Sequence, residues 1–186
     1  FTVRNHRSIR DEVTLDLTRP SMKTLQPRDG NWNAASYPLV GIFGGNATGK
    51  SAILDALRYM FTGIRNSATT WQASSTMQRA PFMLDGDHQN SSSAYELDLV
   101  HEGRRYNYGF EVDQDGIKRE WLRDVPSTRW RTLLDRDRSK NSATFHSSLR
   151  TRIEVAPREL VLSRARLLRG SFLQTLAANI GRFAFG

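Results

Sequence analysis

The sequence predicts an α/β fold centred on a glycine-rich loop between a strand and a helix, with antiparallel strands before and after that unit. Three observations carry this prediction. The run "YPLVGIFG" is continuously apolar between Pro38 and Gly44, as in a strand buried on both faces. Apolar residues recur at helical spacing over residues 50–64, with Gly63 near the end. Stretches at the N terminus and after residue 93 alternate apolar and polar residues, which is typical of strands.

The composition is that of a folded domain. The chain has 186 residues, 38% of them hydrophobic, enough for one domain or for half of a larger ATPase. It opens on a strand-like pattern at Phe1 and stops at "GRFAFG", so we expect it to be a piece of a longer protein. Zero cysteines fit a reducing compartment. Without a signal peptide or a membrane-spanning run, we expect a cytoplasmic protein with no membrane contact.

The charge is strongly positive. A formal net charge of +8 favours a polyanionic partner, either nucleic acid or nucleotide phosphates. The alternative is a solvated surface rich in arginine, since only four of the 27 cations are lysines and no basic stripe stands out. The four histidines have no ligand spacing, so a metal held by protein side chains alone is not expected.

The predicted order of elements divides the chain into four parts. Residues 1–64 hold two short strands, a loop over residues 18–37, the buried strand, the glycine-rich loop and the first helix. Residues 65–93 are predicted to be an irregular insertion with at most one short helix. Residues 94–138 give an antiparallel meander with Glu-Gly and Asp-Gly turns. Residues 139–186 give a short buried strand, "RELVLS", and helical spacing with Gly170 as a candidate interruption.

The glycine-rich loop carries the chemistry. Residues 44–51, "GGNATGKS", match G-x-x-x-x-G-K-[ST] at every constrained position. The glycines let backbone N–H groups form a nest for a phosphate, and the following helix N-terminus favours an anion. Lys50, the candidate catalytic residue, would bridge the β- and γ-phosphates, and Ser51 would place its hydroxyl on Mg²⁺. The predicted nucleotide-binding residues in this segment are Gly44, Gly45, Asn46, Ala47, Thr48, Gly49, Lys50, Ser51 and Ala52.

The surroundings of the loop narrow the class of nucleotide-binding protein. No Asn-Lys-x-Asp motif is present, which disfavours a GTPase. A small-molecule kinase would carry a parallel sheet and an arginine-bearing lid. Here an antiparallel hairpin precedes the loop and a meander follows the helix.

The combination of "FTVRNHRSIRDEVTLDL" and "GIFGGNATGKSAILDALRYM" resembles the amino-terminal half of an ABC-type ATPase of the chromosome-maintenance and double-strand-break-repair superfamily. More narrowly, it resembles bacterial ATPases linked to abortive infection and to OLD (overcoming lysogenisation defect) nucleases. "NHRSI" matches their Asn-Phe-(Arg/Lys)-Ser-(Ile/Phe) motif with His6 in place of Phe, and "PFMLD" and "RELVLSRA" fit the abortive-infection subgroup. The resemblance implies a P-loop NTPase head with a RecA-like core and an antiparallel β wing, of which this chain is the amino-terminal lobe.

The resemblance also implies roles for individual residues. Arg7 would approach the nucleotide phosphates, although a surface arginine at a strand end is the alternative, and Asn46 would contact the γ-phosphate region. Related ATPases carry a magnesium-sensing Gln in a loop that would fall at residues 163–168, where this chain has none; Gln174 lies too far along.

Two elements that such ATPases need for hydrolysis are missing from the sequence. There is no Ser-Gly-Gly-type signature and no apolar strand ending in Asp-Glu. Asp98, Asp113 and Asp124 follow strand-like residues and are interpreted as turn or surface carboxylates. We therefore expect this segment alone to bind ATP and Mg²⁺ without hydrolysing ATP.

The functional hypothesis is an ATPase that dimerises head to head around two ATP molecules. The resemblance implies antiviral defence, with a nuclease or another effector subunit as partner, and leaves contact with nucleic acid open. The alternatives are a non-hydrolysing, nucleotide-dependent scaffold module and a small phosphotransferase that uses the same loop.

Overall fold

A computed structural model gives the architecture of residues 1–46 and 48–182. Its main feature is a sheet of seven strands in the order β2-β1-β3-β4-β5-β6-β7, in which every described pairing is antiparallel. The strands are β1 (Thr2–Arg4), β2 (Val13–Thr14), β3 (Ser93–His101), β4 (Arg104–Asp113), β5 (Gly116–Asp124), β6 (Arg131–Asp137) and β7 (Ser142–Phe145). The helices are α1 (Trp32–Ala35), α2 (Lys50–Asn66), α3 (Gly86–Asn90), α4 (Val161–Ala165) and α5 (Phe172–Ile180).

The predicted meander is confirmed, and β7 extends it. Strand β4 shows why it forms, since alternate residues point to opposite faces. Tyr106, Tyr108, Phe110 and Val112 are buried on the face that packs against the helices. Gly109 lies on the other face, where its lack of a side chain leaves room for the ring of the neighbouring Trp121. A Cβ at this position would also lie 2.9 Å from a backbone carbonyl oxygen of β3. The sheet therefore buries one face and keeps the other largely polar.

Helix α2 joins the glycine-rich loop to this sheet. Its buried residues, among them Ala52, Ala56 and Met60, recur every three to four positions and form one apolar stripe. The helix continues past its predicted end into a π-helical turn, Ser67–Trp71, so the predicted irregular insertion begins with helical structure. Gly63 does not end the helix; a Cβ there would lie 2.6 Å from the Trp71 ring, so glycine permits that ring to pack against α2.

The segment "RELVLS" is buried as predicted, but the prediction of a strand is wrong. Leu160 is extended and Val161 begins helix α4. The cause is Glu120 on β5, whose carboxylate accepts the N–H groups of Val161 (2.9 Å) and Leu162 (3.4 Å) and so acts as a helix cap from another element. Gly170, with φ +80°, separates α4 from α5, as its position in the sequence indicated.

The apolar run before the glycine-rich loop is also different from the prediction. Residues 39–45 form no strand, and Leu39 and Phe43 are 84% and 93% exposed. A buried strand needs neighbours for its backbone N–H and C=O groups. In residues 1–46 and 48–182 all strands pair within the antiparallel sheet, so none lies beside this run.

The predictions of the fold class and of a protein without membrane contact are tested only in part. The fold is mixed α/β, while a RecA-like core with parallel strands is not among the described elements, and the boundaries of the four parts stay a prediction. Within the described part of the chain, no helix has the length and apolar character needed to cross a bilayer.

Replacing Glu120 tests how the sheet holds α4. The Glu120 carboxylate is fully buried, accepts the Tyr108 hydroxyl (2.9 Å) and lies 3.5 Å from the Arg136 guanidinium. Burial raises the pKa of Glu120, against the opposing effect of Arg136. Because Glu120→Ala leaves Arg136 without this partner, we expect the free energy of unfolding to fall by about 3–5 kcal/mol in urea titrations. Glu154→Ala, at an exposed glutamate, is the control and should change it by less than about 0.5 kcal/mol. Equal effects of the two substitutions would contradict this role.

Candidate nucleotide-binding site

The glycine-rich loop enters α2 through a backbone conformation that favours glycine. Gly49, the residue before the helix, has φ +89° and ψ 2°, in the left-handed region. It also lies beside the N-terminal turn of the chain, since a Cβ at Gly49 would be 3.7 Å from Ser8 Oγ. This position therefore turns the chain into the helix and brings the loop next to residues 6–9.

Lys50 folds back over the loop. Its Nζ donates to the carbonyl oxygen of Gly44 at 2.8 Å and also to that of Gly45. The hydroxyl of Thr48 donates to the same Gly45 carbonyl at 2.9 Å, which closes the loop on itself. The ammonium group is thus held at the loop by neutral acceptors, and an anionic phosphate is a stronger acceptor for it than a carbonyl.

The first turn of α2 supplies the other groups that the motif predicts. The first intrahelical bonds run from the N–H groups of Ala52 (3.0 Å) and Ile53 (3.3 Å) to the Gly49 carbonyl. The N–H groups of Lys50 and Ser51 precede them and have no acceptor within the helix. Ser51 is exposed, whereas Ala52 is buried and anchors the turn. The arrangement is that of a helix N-terminus open to an anion, with a hydroxyl beside it for a cation.

The remaining predicted loop residues stand open to solvent. Gly44, Gly45, Asn46 and Thr48 are exposed, and Ala47 lies outside the described residues. These residues fit ATP with Mg²⁺, because the loop offers an ammonium group, the N–H groups of a helix N-terminus and a serine hydroxyl, with no acidic side chain among residues 44–52.

Arg7 lies in a tight turn beside this loop. The backbone of His6 and Ile9 exchanges two hydrogen bonds of 2.8 Å, which places Arg7 and Ser8 at the tip. Arg7 has φ +50°, and its N–H donates to the Ala80 carbonyl at 2.7 Å. Its guanidinium is 58% exposed and pairs through Nε with Asp55 Oδ2 on α2 at 2.5 Å. The structure therefore brings Arg7 to the helix that carries Lys50 and Ser51.

Sequence reasoning missed the group that Arg7 contacts. The Asp55 carboxylate also forms a hydrogen bond with His6 Nε2 at 2.9 Å, and His6 Nδ1 lies 2.8 Å from the Tyr95 hydroxyl. Burial lowers the pKa of His6, against the opposing effect of Asp55. Burial alone would raise the pKa of Asp55, but His6 and Arg7 outweigh it and lower that pKa. The signal in the sequence was the spacing, because Asp55 follows Ser51 by four residues on one helix face.

The three aspartates that follow strand-like residues in the sequence form ion pairs with arginines of the sheet. Asp98 is an exposed carboxylate that pairs with Arg105, and Asp113 pairs with Arg138 and accepts the Asp115 N–H in the turn between β4 and β5, so both fit the interpretation as surface or turn carboxylates. Asp124 was interpreted as a turn or surface carboxylate, and this is wrong: it is 1% exposed and bound by two arginines, Arg104 and Arg131.

Residues 163–168, where related ATPases would carry a magnesium-sensing loop, begin inside helix α4. Ser163 is buried in α4 and accepts the Ala68 N–H at 3.0 Å. Gln174 accepts the Gly170 N–H at 2.9 Å, so its amide stabilises the turn before α5.

The glycine-rich loop and the helix that begins at Lys50 are features of a P-loop NTPase. A comparison with protein families then identifies the family: residues 39–168, more than half of the chain, match the model described as "AAA domain, putative AbiEii toxin, Type IV TA system". The chain belongs to this family of AAA-type P-loop ATPases, which is related to abortive infection and generally binds ATP with Mg²⁺. The match includes the loop and the meander, whereas the Arg7 turn precedes it. A comparison with curated proteins gave no match.

The pKa directions predict how stability depends on pH. Unfolded chains take up a proton on histidine below about pH 6.5, whereas His6 in the folded chain resists protonation. Stability should therefore fall as pH drops below about 6.5, by at most about 1.4 kcal/mol per pH unit for one proton. The lowered pKa of Asp55 adds a loss only below about pH 4.

Urea titrations between pH 7 and pH 5 measure this slope. His6→Gln should flatten it, because the variant has no imidazole to protonate in the unfolded chain. The matched control is His146→Gln, at a half-buried ring whose Nδ1 lies 2.9 Å from the Ser148 hydroxyl, and it should retain the slope. An unchanged slope in His6→Gln would contradict the assignment.

Proposed function

We propose that the chain is the ATP- and Mg²⁺-binding lobe of an ABC-type ATPase that acts in abortive-infection defence. The observation that carries the proposal is the Lys50 ammonium on the Gly44 and Gly45 carbonyls, at the start of a 17-residue helix. A loop so arranged places a cation at the start of a helix, whose first N–H groups have no acceptor within the helix, and this suits a polyphosphate.

Different residues of the loop and of helix α2 contact the phosphates and Mg²⁺ in this proposal. Lys50 exchanges its carbonyl acceptors for phosphate oxygens, and the N–H groups of the loop and of the first helical turn supply the neutral donors. Ser51 offers its hydroxyl to Mg²⁺, and Asn46 contributes from the tip of the loop. Bound ATP with Mg²⁺ supplies the phosphoryl group for hydrolysis and negative charge for a second head to recognise.

An ABC-type head with a RecA-like core accounts for the exposed apolar run before the loop. Leu39, Val40 and Phe43 are exposed, and residues 39–45 have no strand beside them. We assign this run to the inner parallel sheet of the complete head, where neighbouring strands would satisfy its backbone and cover its side chains. The antiparallel sheet described above is then the wing of that head.

The family description supports a role in defence. Its model is described as an AAA domain of a putative AbiEii toxin in a type IV toxin–antitoxin system, which is consistent with abortive infection. We propose a cytoplasmic homodimer that forms through its ATPase heads and controls a nuclease or another effector subunit, as in ATPases associated with OLD nucleases. The net charge of +8 supports contact with nucleic acid.

Replacing Lys50 tests nucleotide binding. Lys50→Ala removes the only side-chain cation in residues 44–52, so we expect the affinity for ATP with Mg²⁺ to fall by about 10- to 100-fold in isothermal titration calorimetry. Lys140→Ala, at a 72% exposed side chain remote in sequence from the loop, should leave the affinity unchanged. An unchanged affinity in Lys50→Ala would show that the loop does not hold the phosphates.

Ser51→Ala separates the metal from the nucleotide. Because Ser51 is assigned to Mg²⁺, the variant should lose most of the gain in ATP affinity that Mg²⁺ gives, while its affinity for ATP in EDTA should match that of the unchanged chain. Thr62→Ala, at an exposed hydroxyl on the same helix, is the control and should keep the full magnesium effect. A full magnesium effect in Ser51→Ala would overturn the assignment of this hydroxyl.

A further inference from the structure

The carboxylate of Asp55 lies where it can act on the nucleotide site without contacting nucleotide. Asp55 follows Ser51 by four residues, about 6 Å along the axis of α2, and both lie on one face. Side chains on a helix lean toward its N-terminus, so the Asp55 carboxylate leans toward the turn that carries Ser51. It is 22% exposed, which leaves it at the edge of the site.

Arg7 pairs with Asp55 through Nε and stays exposed to solvent. Asp55 Oδ2 accepts from Nε of Arg7, at the stem side of the group. The Arg7 side chain is 58% exposed, so solvent reaches it beside this contact. A guanidinium held by Nε still presents its terminal N–H groups as a fork, the geometry that binds phosphate oxygens in pairs.

Asp55 is itself held by a buried hydrogen-bonded relay that runs from Tyr95 through His6. A carboxylate only accepts hydrogen bonds, so the neutral His6 ring carries its proton on Nε2, donates it to Asp55 and accepts the Tyr95 hydroxyl at Nδ1. His6 and Tyr95 are 1% and 0% exposed. The relay fixes the carboxylate relative to the sheet, while Arg58 approaches the other oxygen only to 3.6 Å.

We propose that Asp55 is a positioning residue that holds Arg7 by its Nε and directs the terminal N–H groups toward the phosphates of nucleotide bound at the loop. The inference rests on the proposed function, since it assigns a role at the same site. Asp55 acts through Arg7 alone: it lowers the conformational freedom that Arg7 would lose on contact with phosphate.

A double-mutant cycle on ATP affinity tests this dependence. Arg7→Ala should weaken the binding of ATP with Mg²⁺ about tenfold, and Asp55→Asn about three- to tenfold. In the Arg7→Ala background, Asp55→Asn should change the affinity by less than about twofold, because the residue through which it acts is gone. The neighbouring exposed pair gives a matched control: Arg10→Ala and Asp11→Asn should each leave the affinity unchanged.

Two other results of the cycle would overturn the proposal. If Asp55→Asn weakens binding equally in both backgrounds, Asp55 supports the helix and not Arg7. If Asp55→Asn tightens binding, Asp55 competes with phosphate for Arg7. Lys50→Ala, measured in parallel, distinguishes the proposed function from the role of Asp55. Unchanged affinity in Lys50→Ala would contradict the proposed function. Loss of affinity in Lys50→Ala together with an additive cycle would contradict only the role of Asp55.

A second variant keeps the test decisive if Asp55→Asn does not fold. Arg7→Lys retains the charge on an exposed side chain but cannot donate to Asp55 and offer a fork at the same time. We expect it to lose as much affinity as Arg7→Ala. Affinity at the level of the unchanged chain in Arg7→Lys would show that neither the fork nor its orientation matters.

Discussion

The packing of helix α2 on the antiparallel sheet is the constraint on which the nucleotide site depends. One stripe of the helix, including Ala56 and Met60, is buried against the core, and this stripe decides which residues face the other way. The relay from Tyr95 through His6 holds the Asp55 carboxylate beside β3 and the N-terminal turn. The position of the phosphate loop therefore follows from the core beneath it.

Several contacts connect the exposed loop to the rest of the structure. Gly49 supplies the left-handed conformation, the Lys50 ammonium bonds loop carbonyls, and Ser8 closes in from the N-terminal turn. The site is consequently preorganised on one side, by a helix and a turn that both rest on the sheet. The apolar run of residues 39–45 precedes the loop and has no strand to pair with in the described part of the chain.

Local patterns in the sequence predicted the parts of the site that are neighbours in the chain. The phosphate-loop motif, the amphipathic spacing of α2 and the alternation in the meander depend on residues a few positions apart, and all three have their counterparts in the structure. "RELVLS" failed as a strand because Glu120, 41 residues from Val161, caps it as a helix. Asp55 was missed because its partner His6 lies 49 residues away, and a single sequence does not show such pairs.

Amide and arginine Nε resonances of the ¹⁵N-labelled chain, followed by NMR during titration with ATP and Mg²⁺, test the central claim most directly. The account predicts the largest shifts at Gly45, Gly49, Lys50 and Ser51 and at the Arg7 Nε, with adenosine producing none of them. Lys50→Ala should abolish these shifts at the same nucleotide concentration. Shifts confined to other parts of the chain, or unchanged shifts in Lys50→Ala, would contradict the claim that this loop holds the nucleotide phosphates.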